Sequence, residues 1–167
     1  MTDHSFEFTR AITRRPARSV VDGLRAEDHG TPDFDQMLKD HAHYVATLRE
    51  TGVEIIELPA LDEFPDAVFV EDDALCLKNC AILMRPGAVS RMGEVAMMAP
   101  AIRAQYDDIS EITGPGFIEG GDILTTSREI LIGKSARTDA AGVEELRAII
   151  EPSGYVTCFY NHRTLPS

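Results

Sequence analysis

The stretch FVEDDALCLKNCAILMRPGA at residues 69–88 returns in altered form as FIEGGDILTTSREILIGKSA at 117–136. Laid together without a gap, Phe69 meets Phe117, Val70 meets Ile118, Glu71 meets Glu119, Ile82 meets Ile130 and Leu83 meets Leu131. Hydrophobic alternation shared by any two strand hairpins would explain the aliphatic matches. It would not explain a repeated Phe-aliphatic-Glu triplet. Each copy reads as two strands joined by a tight turn, at Lys78-Asn79 and at Ser127-Arg128. A helical stretch follows each: GEVAMMAPAIRAQY in the first, and TDAAGVEELRAII in the second. In the second, Thr138 or Asp139 is the N-cap and Val143, Leu146 and Ile150 recur at helical spacing. A short extended run closes each copy, ISEIT at 109–113 and YVTCFY at 155–160.

Working outward, a partial copy precedes these two. FTRAITRRPA (8–17) reads as a strand and DFDQMLKDHAHYVATLRE (33–50) as an amphipathic helix. Gly52 suits the helix end, and VEIIELP (53–59) reads as the next strand. The chain is thus expected to be α/β, built from ββαβ repeats. Such repeats bury their faces against neighbours, so two and a half in a row point to a propeller-like ring that is incomplete. Residues 1–160 are read as one incomplete propeller domain and 161–167 as an atypical C-terminal tail.

Bulk properties narrow the function. The chain has 167 residues, 44% of them hydrophobic, and a formal net charge of −12. That charge disfavours a nucleic-acid partner, because a phosphate backbone would be repelled, and it suits a small cationic ligand. No apolar run reaches the roughly 20 residues of a membrane span, and the acidic MTDHSFEFTR start is unlike a secretory leader, so a cytoplasmic location is expected. Cys76 and Cys80 lie in apolar runs without a metal-binding set around them, and are read as buried core thiols. His4, His29, His41 and His43 are read as surface residues.

Polar residues at the strand ends do not fit a core. FPDAVFVEDDAL (64–75) sets Asp66, Glu71, Asp72 and Asp73 around an apolar strand. This cluster is either a solvated loop end or a seat for a cation, and it lacks the spacing of a calcium loop. Arg91 and Arg137 each follow a second strand and precede a helix, where arginine can capture a carboxylate by a bidentate contact. Acids and arginines together would suit a zwitterionic ligand bearing a guanidinium. Gly120 and Gly121, beside Glu119, are read as room for a ligand to approach the backbone.

Five motifs, RRPARSVVDGL (14–24), FPDAVFVEDDAL (64–75), RPGAVSRMGE (85–94), IEGGDIL (118–124) and IGKSART (132–138), occur in order. With them the chain resembles the dimethylarginine dimethylaminohydrolases, guanidino-modifying amidinohydrolases with a five-bladed pentein-type α/β-propeller. Arginine deiminases share that fold and parts of the acidic motifs, but usually carry longer chains or insertions. The resemblance covers residues 8 to 150 and implies about three of the five blades. It further implies that Asp72 and Glu119 hold a guanidinium, with Glu71 beside Asp72 in the ligand-contact motif. Arg91 and Arg137 would take the α-carboxylate; Asp66 and the Leu24 carbonyl would take the ammonium.

The implied reaction converts dimethylarginine and water to citrulline and dimethylamine. It uses a cysteine nucleophile and a histidine acid-base, with no cofactor and no metal. Family chains are longer, and their cysteine lies near the C-terminus. Cys158 is in the wrong segment for that role. His162, in NHRTLPS, falls near the place of the family histidine but in different flanking sequence. The tail YNHRTLPS reads as the product of a truncation or frameshift, leaving a fragment without its nucleophile. Unpaired strand edges would then favour a homo-oligomer or a complementary C-terminal fragment. The rival expectation is a non-catalytic module that binds arginine or a protein partner, or an arginine deiminase-like relative.

Overall fold

The computed structural model describes residues 8–27, 29–126 and 129–160. These fall into two compact units, 8–70 and 71–160.

In the first unit, β1 (Arg10–Arg14) and β2 (Glu54–Leu58) pair in parallel, from Arg10 opposite Glu54 to Arg14 opposite Leu58. Parallel neighbours need a crossover, and α1 (Phe34–Glu50) supplies it. Asp33 caps α1, its side chain accepting the Gln36 amide at 3.0 Å. Gly52 follows the helix end with φ of 88°, a left-handed conformation that glycine adopts without a Cβ penalty. This unit is the expected partial copy, a βαβ crossover.

The second unit holds the two full copies. β3 (Ala74–Cys76) pairs antiparallel with β4 (Ala81–Leu83), and α2 (Glu94–Arg103) leads to β5 (Ile109–Glu111), parallel to β4. β6 (Ile123–Thr125), β7 (Ile130–Gly133), α3 (Ala140–Ile150) and β8 (Thr157–Tyr160) repeat that order and pairing. β5 and β8 begin at Ile109 and Thr157, the same 48-residue offset that relates the sequences. Lys78 and Asn79 lie in the first hairpin turn, closed by the Leu77 amide on the Cys80 carbonyl at 2.9 Å. Ser127-Arg128 lies outside the described residues.

One core joins both copies. Ile82 and Met84 of the first meet Ile130, Ile132, Val143, Leu146 and Ile150 of the second, with Ile112 and Ile118 between them. The α3 residues in it are the ones whose helical spacing marked the buried face. Asp139, rather than Thr138, is the α3 cap, accepting the Gly142 amide at 2.9 Å. Arg85 and Ile118 exchange backbone hydrogen bonds as an isolated antiparallel bridge between the copies.

The cysteine expectation is corrected. Cys76 is exposed, because side chains alternate along β3 and Leu75 takes the inward place. Cys80 is only partly buried, at the core margin. His29 and His43 are exposed, as expected of surface residues, while His41 is half-buried and its pKa is lowered by that burial. His4 lies outside the described residues. Among the described residues, no helix is long and apolar enough to cross a membrane.

Candidate active site

Two short 3-10 turns, Val70–Asp72 and Gly120–Asp122, lead into the first strands of the two copies. The repeat packs Glu71 and Asp72 of one copy against Gly120 and Gly121 of the other. A Cβ on Gly120 would run into the Glu71 carbonyl oxygen, and one on Gly121 into Asp72 Oδ1. The glycine expectation is therefore corrected. The space beside Glu119 is filled by the neighbouring copy, not left for a ligand.

That packing buries the acids. Asp72 and Asp73 are buried, so the solvated-loop alternative does not hold for them. Asp72 Oδ1 accepts the Gly121 amide at 2.9 Å, and its Oδ2 accepts from Arg91 Nη1. Arg91 is only 2% exposed, in the turn Val89–Arg91 that precedes α2. Its Nε and Nη2 donate to Glu94 Oε2 at 2.9 and 2.7 Å. Burial by itself would lower the Arg91 pKa, but the hydrogen bonds and charges of Glu94 and Asp72 outweigh it and raise the pKa. The result is a buried Asp72–Arg91–Glu94 chain with the cation in the middle.

Glu119 is fully buried, and Arg137 Nε stands 3.0 Å from its Oε2. The approach is out of line for a hydrogen bond, and neither carboxylate oxygen has a hydrogen-bond partner among the described residues. Burial raises the Glu119 pKa; the Arg137 charge opposes the shift and the Asp72 charge adds to it. Glu119 is held through its backbone, its amide donating to Thr138 Oγ1 at 3.2 Å. The Thr138 hydroxyl and Ser135 Oγ each donate to Asp122 Oδ2 at 2.6 Å. Ser135 Oγ in turn accepts the Arg137 amide at 2.9 Å. Gly87 makes room for this loop, since its Cβ would lie 2.9 Å from the Arg137 Cα. Arg137 itself is 47% exposed.

The structure thus brings together Asp72, Arg91, Glu119 and Arg137 in the second unit. Glu71, beside them, is exposed; its pKa is raised by partial desolvation, with the Asp72 charge adding to the shift. Asp66 and Leu24 meet in the first unit, where the Leu24 amide donates to Asp66 Oδ1 at 2.9 Å and Oδ2 at 3.2 Å. His162 lies outside the described residues. Glu94, Asp122, Ser135 and Thr138 had not been singled out as site residues. Glu94 carried a usable signal, an acid three residues after Arg91 at the start of a helix. The other three act through hydrogen bonds that no spacing rule reveals.

Chemically, a buried carboxylate with unfilled lone pairs favours a ligand rich in N–H donors and positive charge. Planar guanidinium meets both needs.

The family model for arginine deiminase matches residues 60–156, more than half of the chain. The dimethylarginine dimethylaminohydrolase of Pseudomonas aeruginosa is 43% identical over 148 residues, 88% of this chain and 58% of that protein. The Streptomyces coelicolor enzyme of the same name is 36% identical, across 87% of this chain and 57% of its own. A mutant of the Pseudomonas aeruginosa enzyme complexed with citrulline superposes with a TM-score of 0.92 at 40% identity. It covers 96% of this chain and 63% of that one. The N-terminal domain of a cyanobacterial arginine dihydrolase, at 17% identity and a TM-score of 0.80, shares the mixed α/β fold. The chain spans a little under two thirds of the length of these relatives. Buried acids and arginines arranged on paired ββαβ units, together with these matches, show that the chain belongs to the arginine deiminase family, alongside the dimethylarginine dimethylaminohydrolases.

Proposed function

We propose that this chain is the guanidino-amino-acid-binding portion of a dimethylarginine dimethylaminohydrolase-like hydrolase. The whole protein would convert dimethylarginine and water to citrulline and dimethylamine in the cytoplasm. In this reading the described units are blades of an incomplete α/β-propeller spanning residues 1–160. Asp72 and Glu119 receive the guanidinium, Arg91 and Arg137 the α-carboxylate, and Asp66 with the Leu24 carbonyl the ammonium. Glu71 borders the guanidinium end. His162 is the candidate proton carrier.

One observation carries the reading: Glu119 is fully buried, yet neither oxygen has a hydrogen-bond partner among the described residues. Leaving a buried carboxylate in that condition is costly unless a ligand completes it. The relative complexed with citrulline, the ureido product of the proposed reaction, supports this choice of ligand.

No nucleophile is assigned within the chain. Cys76 and Cys80 flank the first hairpin turn. Cys158 donates to Glu129 Oε2 at 2.9 Å, and that bond, with burial and the Glu129 charge, raises its pKa, opposite to what an activated thiolate needs. A second copy or a complementary fragment would have to supply the thiolate.

The test is to titrate the pure chain calorimetrically with dimethylarginine and to assay the same mixture for citrulline. Binding without citrulline release is expected. Turnover would overturn the claim that the nucleophile is absent, and a failure to bind would overturn the guanidino-ligand reading. Running plain arginine alongside separates a dimethylarginine site from an arginine deiminase-like one.

A further inference from the structure

The Asp72–Arg91–Glu94 chain is asymmetric in a way the proposed ligand roles do not use. Arg91 presents one edge, Nε and Nη2, to a single oxygen of Glu94 at 2.9 and 2.7 Å. Its remaining nitrogen, Nη1, reaches Asp72 Oδ2. Asp72 is divided likewise: Oδ1 is held by the Gly121 amide at 2.9 Å, and Oδ2 is occupied by Arg91. Glu94 is 1% exposed and belongs to the first turn of α2, so helix packing fixes its position. The guanidinium of Arg91 therefore occupies one of the carboxylates that the proposed function gives to a ligand guanidinium.

We infer that Glu94 is a positioning residue that makes Arg91 exchangeable. An entering guanidinium takes the Asp72 Oδ2 position from Nη1, and Arg91, still anchored through Nε and Nη2 on Glu94, turns Nη1 to the ligand carboxylate.

Two buried ion pairs are then exchanged without stranding a charge. Asp72 trades one guanidinium for another, and Arg91 trades one carboxylate for another. A ligand lacking the carboxylate takes Asp72 and leaves Nη1 of Arg91 without an anion in a buried place, which is unfavourable. The site would thus select ligands carrying both charges. Without Glu94 the anchored edge is lost, Arg91 depends on Asp72 alone, and the exchange has no pivot. This inference rests on the guanidino-ligand reading above and adds to it a residue and a rule of selection.

The experiment measures calorimetric affinities of the full chain for dimethylarginine and for its decarboxylated analogue, in the unaltered protein, Glu94→Gln, Arg91→Lys and the double variant. The unaltered chain is expected to prefer the carboxylated ligand by at least about a hundredfold, as for a buried charged contact. In Glu94→Gln that preference should fall to about tenfold or less. In the double variant it should match Arg91→Lys alone, because both changes break one device. Glu94→Asp, which keeps the charge, should restore part of the preference. If Glu94 serves only to hold α2, Glu94→Gln lowers the melting temperature and leaves the preference intact, which overturns the inference. Independent, additive effects of the two substitutions overturn it as well. Should Glu94→Gln fail to fold, Arg91→Lys with an unchanged preference is equally decisive against it. Binding of neither ligand to the unaltered chain overturns the guanidino-ligand reading and this inference together.

Discussion

Glu119 sits where a carboxylate is expensive to ionise. Burial raises its pKa above the ordinary 4.5 despite Arg137, so the folded chain holds that proton more tightly than the unfolded chain does. The sign follows: Glu119 costs nothing below the ordinary value, and the cost grows as pH rises through the raised value. Replacing it with glutamine removes the ionisation cost. Glu119→Gln should therefore melt a few degrees higher than the parent at neutral pH, with the gain fading as pH falls toward 4.5. Thermal melts of both proteins across that range check the prediction. The same variant should lose calorimetric binding of dimethylarginine, since the formal charge facing the guanidinium is gone. A gain in stability matched by a loss of binding is the signature of a residue kept for a ligand rather than for the fold.

At the scale of elements, the two 3-10 turns explain why the copies are not identical in sequence. Glu71 and Glu119 match, but the following Asp72-Asp73 becomes Gly120-Gly121 because the second turn must accommodate the first. The contact partner of Gly120 is a backbone carbonyl, which cannot swing aside as a side chain would. Gly120→Ala should accordingly cost about 2 kcal/mol or more, the upper part of the range for overpacking. Urea unfolding would measure it, and a cost below about 0.5 kcal/mol, the level of a neutral surface change, would show that the turns are not packed as described. Glycine pairs of this kind look the same in sequence whether they make way for a ligand or for another strand. Only the packing of the two turns tells these uses apart.

In the molecule as a whole, the unit 71–160 is held together by more than its apolar core. Arg85 bridges to Ile118 through the backbone, donates from Nη1 to the Gly116 carbonyl at 2.9 Å, and lies over the Phe117 ring at 4.5 Å. Glu145 of α3 accepts the Thr113 amide at 2.8 Å and the Gly114 amide at 3.2 Å, just after the last strand of the first copy. Arg85→Ala removes a partly buried hydrogen bond and a cation–π contact at once, and about 1–3 kcal/mol of stability should go with them. Hydrogen exchange at the amides of residues 116–118 should accelerate in that variant before exchange within α3 does. Uniform acceleration across the unit would indicate that Arg85 is not a local clasp.

Much of this molecule was legible before any coordinates. The 48-residue offset, the ββαβ order, the partial βαβ copy and the buried stripe of α3 follow from periodicity, which is a local property of the chain. Single residues such as Glu119, Arg91 and Asp72 stood out because charge is rare in apolar strand ends. What tertiary structure alone decided is the pairing of those charges. Arg91 lies between Asp72 and Glu94, while Glu119 keeps two unfilled oxygens beside Arg137. It also decided that Gly120 and Gly121 make room for Glu71 and Asp72, and that Cys76 faces outward. The division has one physical cause. Strand and helix periods are set by neighbours along the chain, whereas the environment of a charge is set by whatever the fold brings against it.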